Sequence, residues 1–424
     1  MTLLRRLRVA QSKHLYFLLI AFLLPIYFIP TFRKGLSWFH VVNVVILAGY
    51  LFAFVRQGRV LRFYFLLPML IYLMGSLLGM FASQAIGINL YTLGQDLYLY
   101  LWFVALCVII ESQDDIDYLA TAWMFGCVMV LAIGVLRPSG LGIVREEFTF
   151  RNPNRAAAYF ITTLGMLCAP ALSGRRWFRF GLTVLILWAV WTTGSLASFI
   201  SIAVGALMGL SAMLYLRRGG FWVVRQGGIM LLAAALVYTS VAFSDVQALL
   251  VRGVPQSFGR APRSLATRQQ IWQEGLETFR KHPLGIGPAS FLQTVNIGLG
   301  STRGSGALEL HSDYIAALVE RGVIGLAGFL FFQLLIVREV LRLIRLALQA
   351  GRRDLHLWAA GLAGVVAAYF TYSITHEALH HDTLWLLLAV IMAQSQILAV
   401  QVRAQISARA AAPSRQLAAT QAGA

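Results

Sequence analysis

Three short stretches of this chain carry side chains whose types and spacing can do chemistry. In the first, Leu310-His311-Ser312-Asp313-Tyr314 leads into a helix and an apolar span. An imidazole near a helix N-terminus is held neutral by the positive end of the dipole, as a general base requires. The alternative for His311 is a capping hydrogen bond at the lipid-water boundary; Asp313 either orients the ring or is a favourable first-turn acid. The second stretch, Thr375 to Asp382, contains a literal HExxH. On a helix His376 and His380 would share a face, with Glu377 as the base for a metal-bound water, the arrangement of a membrane zinc peptidase. No later segment offers an acidic third ligand, and His381 and Asp382 point off that face. The reading adopted is that this run packs beside His311 without metal, lining or closing a chamber there. The third stretch, Arg145 to Arg155, holds Arg145, Arg151 and Arg155 with Asn152-Pro153-Asn154. Asn154 can cap the following span, and the arginines can bind lipid phosphates.

The elements that must position these groups belong in a bilayer. The 424 residues are 59% apolar and only 12% charged, where a soluble globule has about a quarter charged. Apolar runs of about 18 to 22 residues recur, the length that crosses a hydrocarbon core about 30 Å thick. Soluble enzymes and disordered scaffolds are thereby excluded. Basic residues number 35 against 17 acidic ones, a formal net charge of +18, so the span ends suit phosphates, anionic lipids or acidic glycans. The basic residues are almost all Arg, whose guanidinium grips phosphate in a fork. Nucleic acid is not expected as a partner. Cys107, Cys127 and Cys168 lie in apolar runs and read as packing residues.

Apolar runs predict an all-α integral membrane protein of about twelve spans, centred near residues 24, 46, 71, 102, 126, 164, 185, 206, 234, 333, 365 and 392. Alternate breaks are rich in Arg, including 56/59/62, 175/176/179, 217/218/225 and 338 to 353, which places both termini in the cytoplasm. Arg5, Arg6, Arg8 and Lys13 before an apolar stretch read as an uncleaved signal anchor. The acidic break from Glu111 to Asp117 is tolerated on the cytoplasmic side. Spans 1–9 occupy 1–243, a loop domain 244–311, spans 10–12 occupy 312–402, and 403–424 is an expected disordered tail. A loop of about 70 residues among tight turns marks the opposite face as the active one. Within it, Ser264 is the expected cap of a helix running to about Lys281, with Leu265, Trp272, Leu276 and Phe279 as its apolar stripe. Arg268 falls on that stripe. A cation there either meets a buried anion or snorkels past Trp272 to water.

The combination resembles a known family. Twelve spans, the Asn152-Pro153-Asn154 loop, Arg268 with Trp272 four residues on, His282-Pro283-Leu284-Gly285-Ile286-Gly287-Pro288, and His311-Ser312 followed by Gly322-Val323-Ile324-Gly325 are similar to the O-antigen ligase and polymerase superfamily of bacterial inner membranes. That resemblance implies an integral-membrane glycosyltransferase of the GT-C type, inverting, with no cofactor. It also implies a glycan donor on undecaprenyl diphosphate, a lipid A-core acceptor, and a periplasmic active face; the enzyme is expected to work as a monomer. Position by position it makes His311 the essential histidine and Arg268 an essential arginine. Arg145, Arg151, Asn154, Arg155, Arg303, Asp313, Tyr314, His376 and His380 are the expected substrate-binding residues. One departure is Thr193-Gly194-Ser195-Leu196, where relatives often carry Arg after the Ser. Neutralising a diphosphate leaving group needs a divalent metal or cations, and this face offers arginines and no Asp-rich motif. A polymerase or a protein O-glycosyltransferase of the same superfamily would share these groups. A lipid-linked-sugar flippase is the alternative of another class, distinguished by indifference to loss of His311.

Overall fold

The computed structural model describes residues 3–26, 38–56, 58, 61–136, 148–150, 152–218, 261–291 and 310–422, which are helical with no strand among them. In chain order the helices are α1 (Leu3–Leu23), α2 (Trp38–Arg56), α3 (Leu66–Met80), α4 (Ile86–Ile109), α5 (Gln113–Leu136), α6 (Pro153–Met166), α7 (Arg176–Thr192), α8 (Leu196–Arg218), α9 (Ala261–Lys281), α10 (Asp313–Ala350), α11 (Arg353–Ser373) and α12 (Asp382–Ala422). Six of them, α4, α5, α8, α10, α11 and α12, contain stretches long and apolar enough to cross a membrane. A described helix lies at or beside every expected span centre except the one near 234, which falls outside the described residues, as does most of the loop 244–311. Several helices are shorter than a span needs. The 14-residue α6 stops at Met166, where the chain breaks into a 3-10 turn over Pro170–Leu172; proline supplies no backbone donor to continue a helix.

The core is organised around α12. From Thr383 to Ser395 its residues are buried without interruption, as expected of a helix apolar on all sides. It packs on α4 and α10, while α3 lies along α10, α8 along α11 and α1 along α5. Trp385 donates from Nε1 to the Leu379 carbonyl at 2.7 Å and meets Phe103 and Phe332, so the entry to α12 is tied to α4 and α10. At the end of α4, the acidic break is met by Lys13 of α1, whose ammonium lies 3.7 Å from Asp115 and also pairs with Glu111. Asp115 accepts from the Glu111 and Ser112 amides, and Ser112 accepts in return from the Asp115 amide, so part of the acidity closes a helix N-terminus. Beyond residue 403 α12 continues to Ala422; the stretch is rich in Ala, Gln and Arg, all good helix formers.

The feature that shapes the site is a reversal inside α10. At Gly322 φ is 67° and ψ is −171°, so 313–321 and 323–350 are two helical arms. The Tyr314 hydroxyl donates to Gln333 at 3.1 Å, and its ring meets Phe329 edge-on with centroids 5.3 Å apart. Residues nineteen apart touch because the short arm folds back on the long one. The turn after α9 locks this reversal: the Gly287 amide donates to the Glu320 carbonyl at 2.9 Å, and the Val323 amide to the Pro283 carbonyl at 3.1 Å. On the other side Gly75 of α3 lies so close that a methyl group there would stand 2.6 Å from the Arg321 carbonyl, the close backbone approach that small residues permit between membrane helices.

Two glycines with nearly the same φ test this reading. Gly351 (φ 68°) caps the C-terminus of α10 with nothing near its missing side chain, whereas a Cβ at Gly322 would fall on the Leu284 backbone. Gly351→Ala should therefore cost only the left-handed strain, about 1 kcal/mol. Gly322→Ala adds a backbone collision and should lower the thermal midpoint of detergent-purified protein severalfold more. Equal shifts for the two would mean that the interlock does not constrain Gly322.

Candidate active site

His311 is positioned from both sides by backbone. Leu310 before it is buried, and its carbonyl accepts from Trp272 Nε1 at 2.8 Å. Ser312 after it is the N-cap of α10 and accepts from the Ile315 amide at 3.4 Å. Between them His311 is left-handed, with φ 49°, a conformation uncommon for a residue with a side chain and one that has to be held by its surroundings. The holding element is α9. Its Ile271 joins Ile286, Phe291, Leu310, Ala316 and Val319 in an apolar cluster, with Trp272 and Phe279 packed on it. The expected stripe needs correction. Leu276 is 39% exposed, and the inward face runs through Ile271, Gly275 and Thr278. The helix starts at Ala261, with Pro262 in its first turn, so Ser264 lies within it rather than capping it; proline suits a first turn, where its missing N–H has no partner to lose.

Arg268, one turn before Trp272, is partly buried, and its charge reaches His311. Burial lowers the His311 pKa below the ordinary histidine value, Arg268 lowers it further, and Glu377 opposes them. The imidazole is thus neutral at neutral pH through desolvation and a neighbouring cation, beyond the helix dipole invoked from sequence.

The run containing HExxH is not helical. Residues 374–381 form a looped connection between α11 and α12, so spacing of four does not put His376 and His380 on one face. His376 stacks on Tyr372, with centroids 4.4 Å apart, and its Nδ1 lies 3.1 Å from Thr375 Oγ1. His380 turns the other way: its Nε2 is 3.0 Å from Asp96 Oδ1, and its Nδ1 is 3.6 Å from Glu377 Oε2. Among the described residues no three His, Cys, Asp or Glu are grouped to hold a metal ion. Asp313 does not face the His311 ring as an orienting carboxylate would; it accepts from the Ala378 amide at 2.9 Å and the Leu379 amide at 3.2 Å. It thereby fastens the 374–381 loop to the residues beside His311. Burial works against charge on His380, but Asp96 and Glu377 raise its pKa to about 10. Glu377 is held below the usual carboxylate range: burial opposes this, and His380 outweighs it. His381 is pushed down to about 3 by burial and then by Arg155.

Behind His380 lies a charged cluster that motif reading does not assign. Asp96, in the middle of α4, accepts from Arg321 Nη2 at 2.7 Å. Arg321 is 1% exposed, lies 3.6 Å from Glu320, and has its guanidinium 4.5 Å from the centre of the Tyr72 ring. Glu320 accepts from the Ala289 amide at 2.8 Å. One signal in the sequence could have found it: a lone Asp in an apolar span is expensive and by default functional, with a partner to be sought.

The other expected residues are distributed unevenly. Asn152, not Asn154, caps α6, accepting from the Asn154 amide at 2.8 Å, with Pro153 at the first helical position. The Asn154 carbonyl accepts from the Tyr372 hydroxyl at 2.9 Å. Arg155 lines a small cleft with His380, His381 and Asp382. Tyr314 braces the two arms of α10. Arg145, Arg151 and Arg303 lie outside the described residues.

The charges around His311 have opposite signs, so their removal should move its protonation in opposite directions. Arg268→Gln deletes a cation that lowers the pKa and should raise the pH midpoint for acylation of His311 by diethyl pyrocarbonate, read by peptide mass spectrometry. Glu377→Gln deletes a carboxylate that raises it and should lower that midpoint. A midpoint that stays put in either variant places that charge away from the ring.

No curated protein gives a match to the chain. Residues 181–330, running from α7 through α8 and α9 past His311 to the long arm of α10, match the family model described as O-antigen ligase (Wzy_C), a similarity over about a third of the chain.

Proposed function

We propose that this protein transfers O-antigen from undecaprenyl diphosphate to the sugar core of lipid A, at the periplasmic face of the inner membrane of a Gram-negative bacterium. The observation that carries this reading is the juxtaposition of a neutral, backbone-braced His311 with Arg268, one turn from the tryptophan that fixes the His311 backbone. In this reaction His311 takes the proton of an acceptor hydroxyl as its oxygen attacks the anomeric carbon. The bond from that carbon to the phosphate oxygen breaks with inversion, and the diphosphate leaves carrying the bonding pair. Arg268 meets the growing charge on that oxygen, and Arg155, at the cleft beside His380, is a second phosphate contact. Arg145, Arg151 and Arg303 are further candidates, and no cofactor is required. A polymerase or a protein O-glycosyltransferase would use the same groups with another acceptor hydroxyl.

The test is transfer in vitro with purified protein, a defined undecaprenyl-diphosphate glycan and lipid A-core, with and without EDTA. His311→Ala should lose about 10² to 10⁴ in rate. Arg268→Lys should rescue Arg268→Ala poorly because the forked contact is lost, and EDTA should leave the rate unchanged. Retention of more than about a third of wild-type transfer by His311→Ala removes the base from the reaction. In a deletion strain, loss of all O-antigen from lipid A-core supports ligation, and survival of single-repeat lipopolysaccharide points to polymerisation.

A further inference from the structure

Both ring nitrogens of His380 face carboxylates, Asp96 Oδ1 at 3.0 Å and Glu377 Oε2 at 3.6 Å. A neutral imidazole has a lone pair on one nitrogen, which would be aimed at an anion in either tautomer; with a proton on each, both contacts are attractive. The ring is accordingly an imidazolium, with no lone pair for a metal and no vacancy for a proton. The other Asp96 oxygen is taken by Arg321 at 2.7 Å, and Arg321 is held in turn by Glu320 at 3.6 Å and by the face of Tyr72. From the reversal in α10 outward, the signs alternate along Arg321, Asp96, His380 and Glu377, and the last member is the carboxylate whose field reaches His311. The loop that carries His380 and Glu377 is fastened to the start of α10 by the two amides donated to Asp313. The loop that carries Glu377 is thus joined to the helix that starts two residues after His311.

We infer that His380 is a positioning residue: pinned by Asp96, which Arg321 braces, it holds the Glu377 carboxylate beside His311, where that negative charge favours the imidazolium formed as His311 takes the acceptor proton. This deepens the transferase reading and rests on it. Charges held before the reaction need no reorganisation at the moment of transfer, which makes such fixed fields effective. Glu377 also has to stay in place, since misplacing a catalytic array by about 1 Å can cost about 10²-fold.

The experiment measures kcat and KM for donor and acceptor in the wild type, His311→Ala, Glu377→Gln, Glu377→Asp and His380→Gln, each purified full-length and checked by gel filtration. Glu377→Gln and His380→Gln should each lower kcat by about 10- to 100-fold while both KM values stay within about threefold, and Glu377→Asp should recover part of the lost kcat. A rise in donor or acceptor KM with kcat preserved would make the pair a direct substrate contact and overturn the inference, as would kcat within about threefold of wild type in both variants. Stoichiometric zinc, lost together with activity on chelation, would overturn it too. If His380→Gln does not yield folded protein, the comparison of Glu377→Gln with Glu377→Asp decides alone. An inactive His311→Ala beside near-normal Glu377 and His380 variants sinks the positioning role only, whereas an active His311→Ala sinks the transferase reading.

Discussion

The reversal at Gly322 is the constraint on which the site depends. A straight helix from Asp313 to Ala350 would be about 57 Å long at 1.5 Å per residue, and Arg321 would sit somewhere along its side. The φ of 67° at Gly322 instead folds the first arm back. Arg321 and Glu320 then point into the bundle, and Asp313 and His311 come beside the 374–381 loop. Only glycine fits there, on two counts: the conformation is one that residues with side chains avoid, and the Leu284 backbone fills the space a Cβ would need. The turn from His282 to Pro288 is the other half of this joint, which explains why a glycine- and proline-rich turn in the loop and a glycine pair at the head of the span occur in one chain.

Once the reversal places Arg321 in the interior, electrostatics dictates much of the rest. A buried cation without a partner is strongly destabilising, and a single removed partner costs about 3–5 kcal/mol. Asp96 therefore has to reach it from α4, Tyr72 offers the face of its ring from α3, and the three helices are fixed relative to one another by charge as well as by packing. His380 then closes the remaining oxygen of Asp96. Near His311 the balance differs: burial and Arg268 keep the imidazole neutral, while Glu377 pulls the other way. An imidazole between a cation and a carboxylate has its proton affinity set by the difference of their fields.

Much of the architecture was legible because it rests on composition and local chemistry. Helices at or beside the expected centres follow from runs of apolar residues, the α9 helix from its spacing, and the helix start just after His311 from the change to an apolar run. What sequence could not convey was tertiary. Ser264 reads as a cap because Ser is a good one, yet Pro262 lets the helix begin earlier. Asn152 and Asn154 are equally good caps by type, and only the backbone entering α6 decides for Asn152. Arg321 looks like an ordinary residue at a membrane boundary until the chain reverses beneath it, and Asp96, 225 positions away in sequence, has no local signal of its partner.

The HExxH run shows why the same letters carry different chemistry on different backbones. As a helix, Thr375 to Asp382 would satisfy its amides internally and present two imidazoles to one point. Here the Ala378 and Leu379 amides are taken by Asp313, and the Leu379 carbonyl by Trp385. These groups come from neighbouring elements and compete with the helical hydrogen bonds for the same donors and acceptor. With that pattern broken, His376 falls against Tyr372 and His380 against Asp96, on separate partners. The chemistry assigned to the run therefore follows from what captures its backbone, and the capturing residue, Asp313, lies two positions after His311.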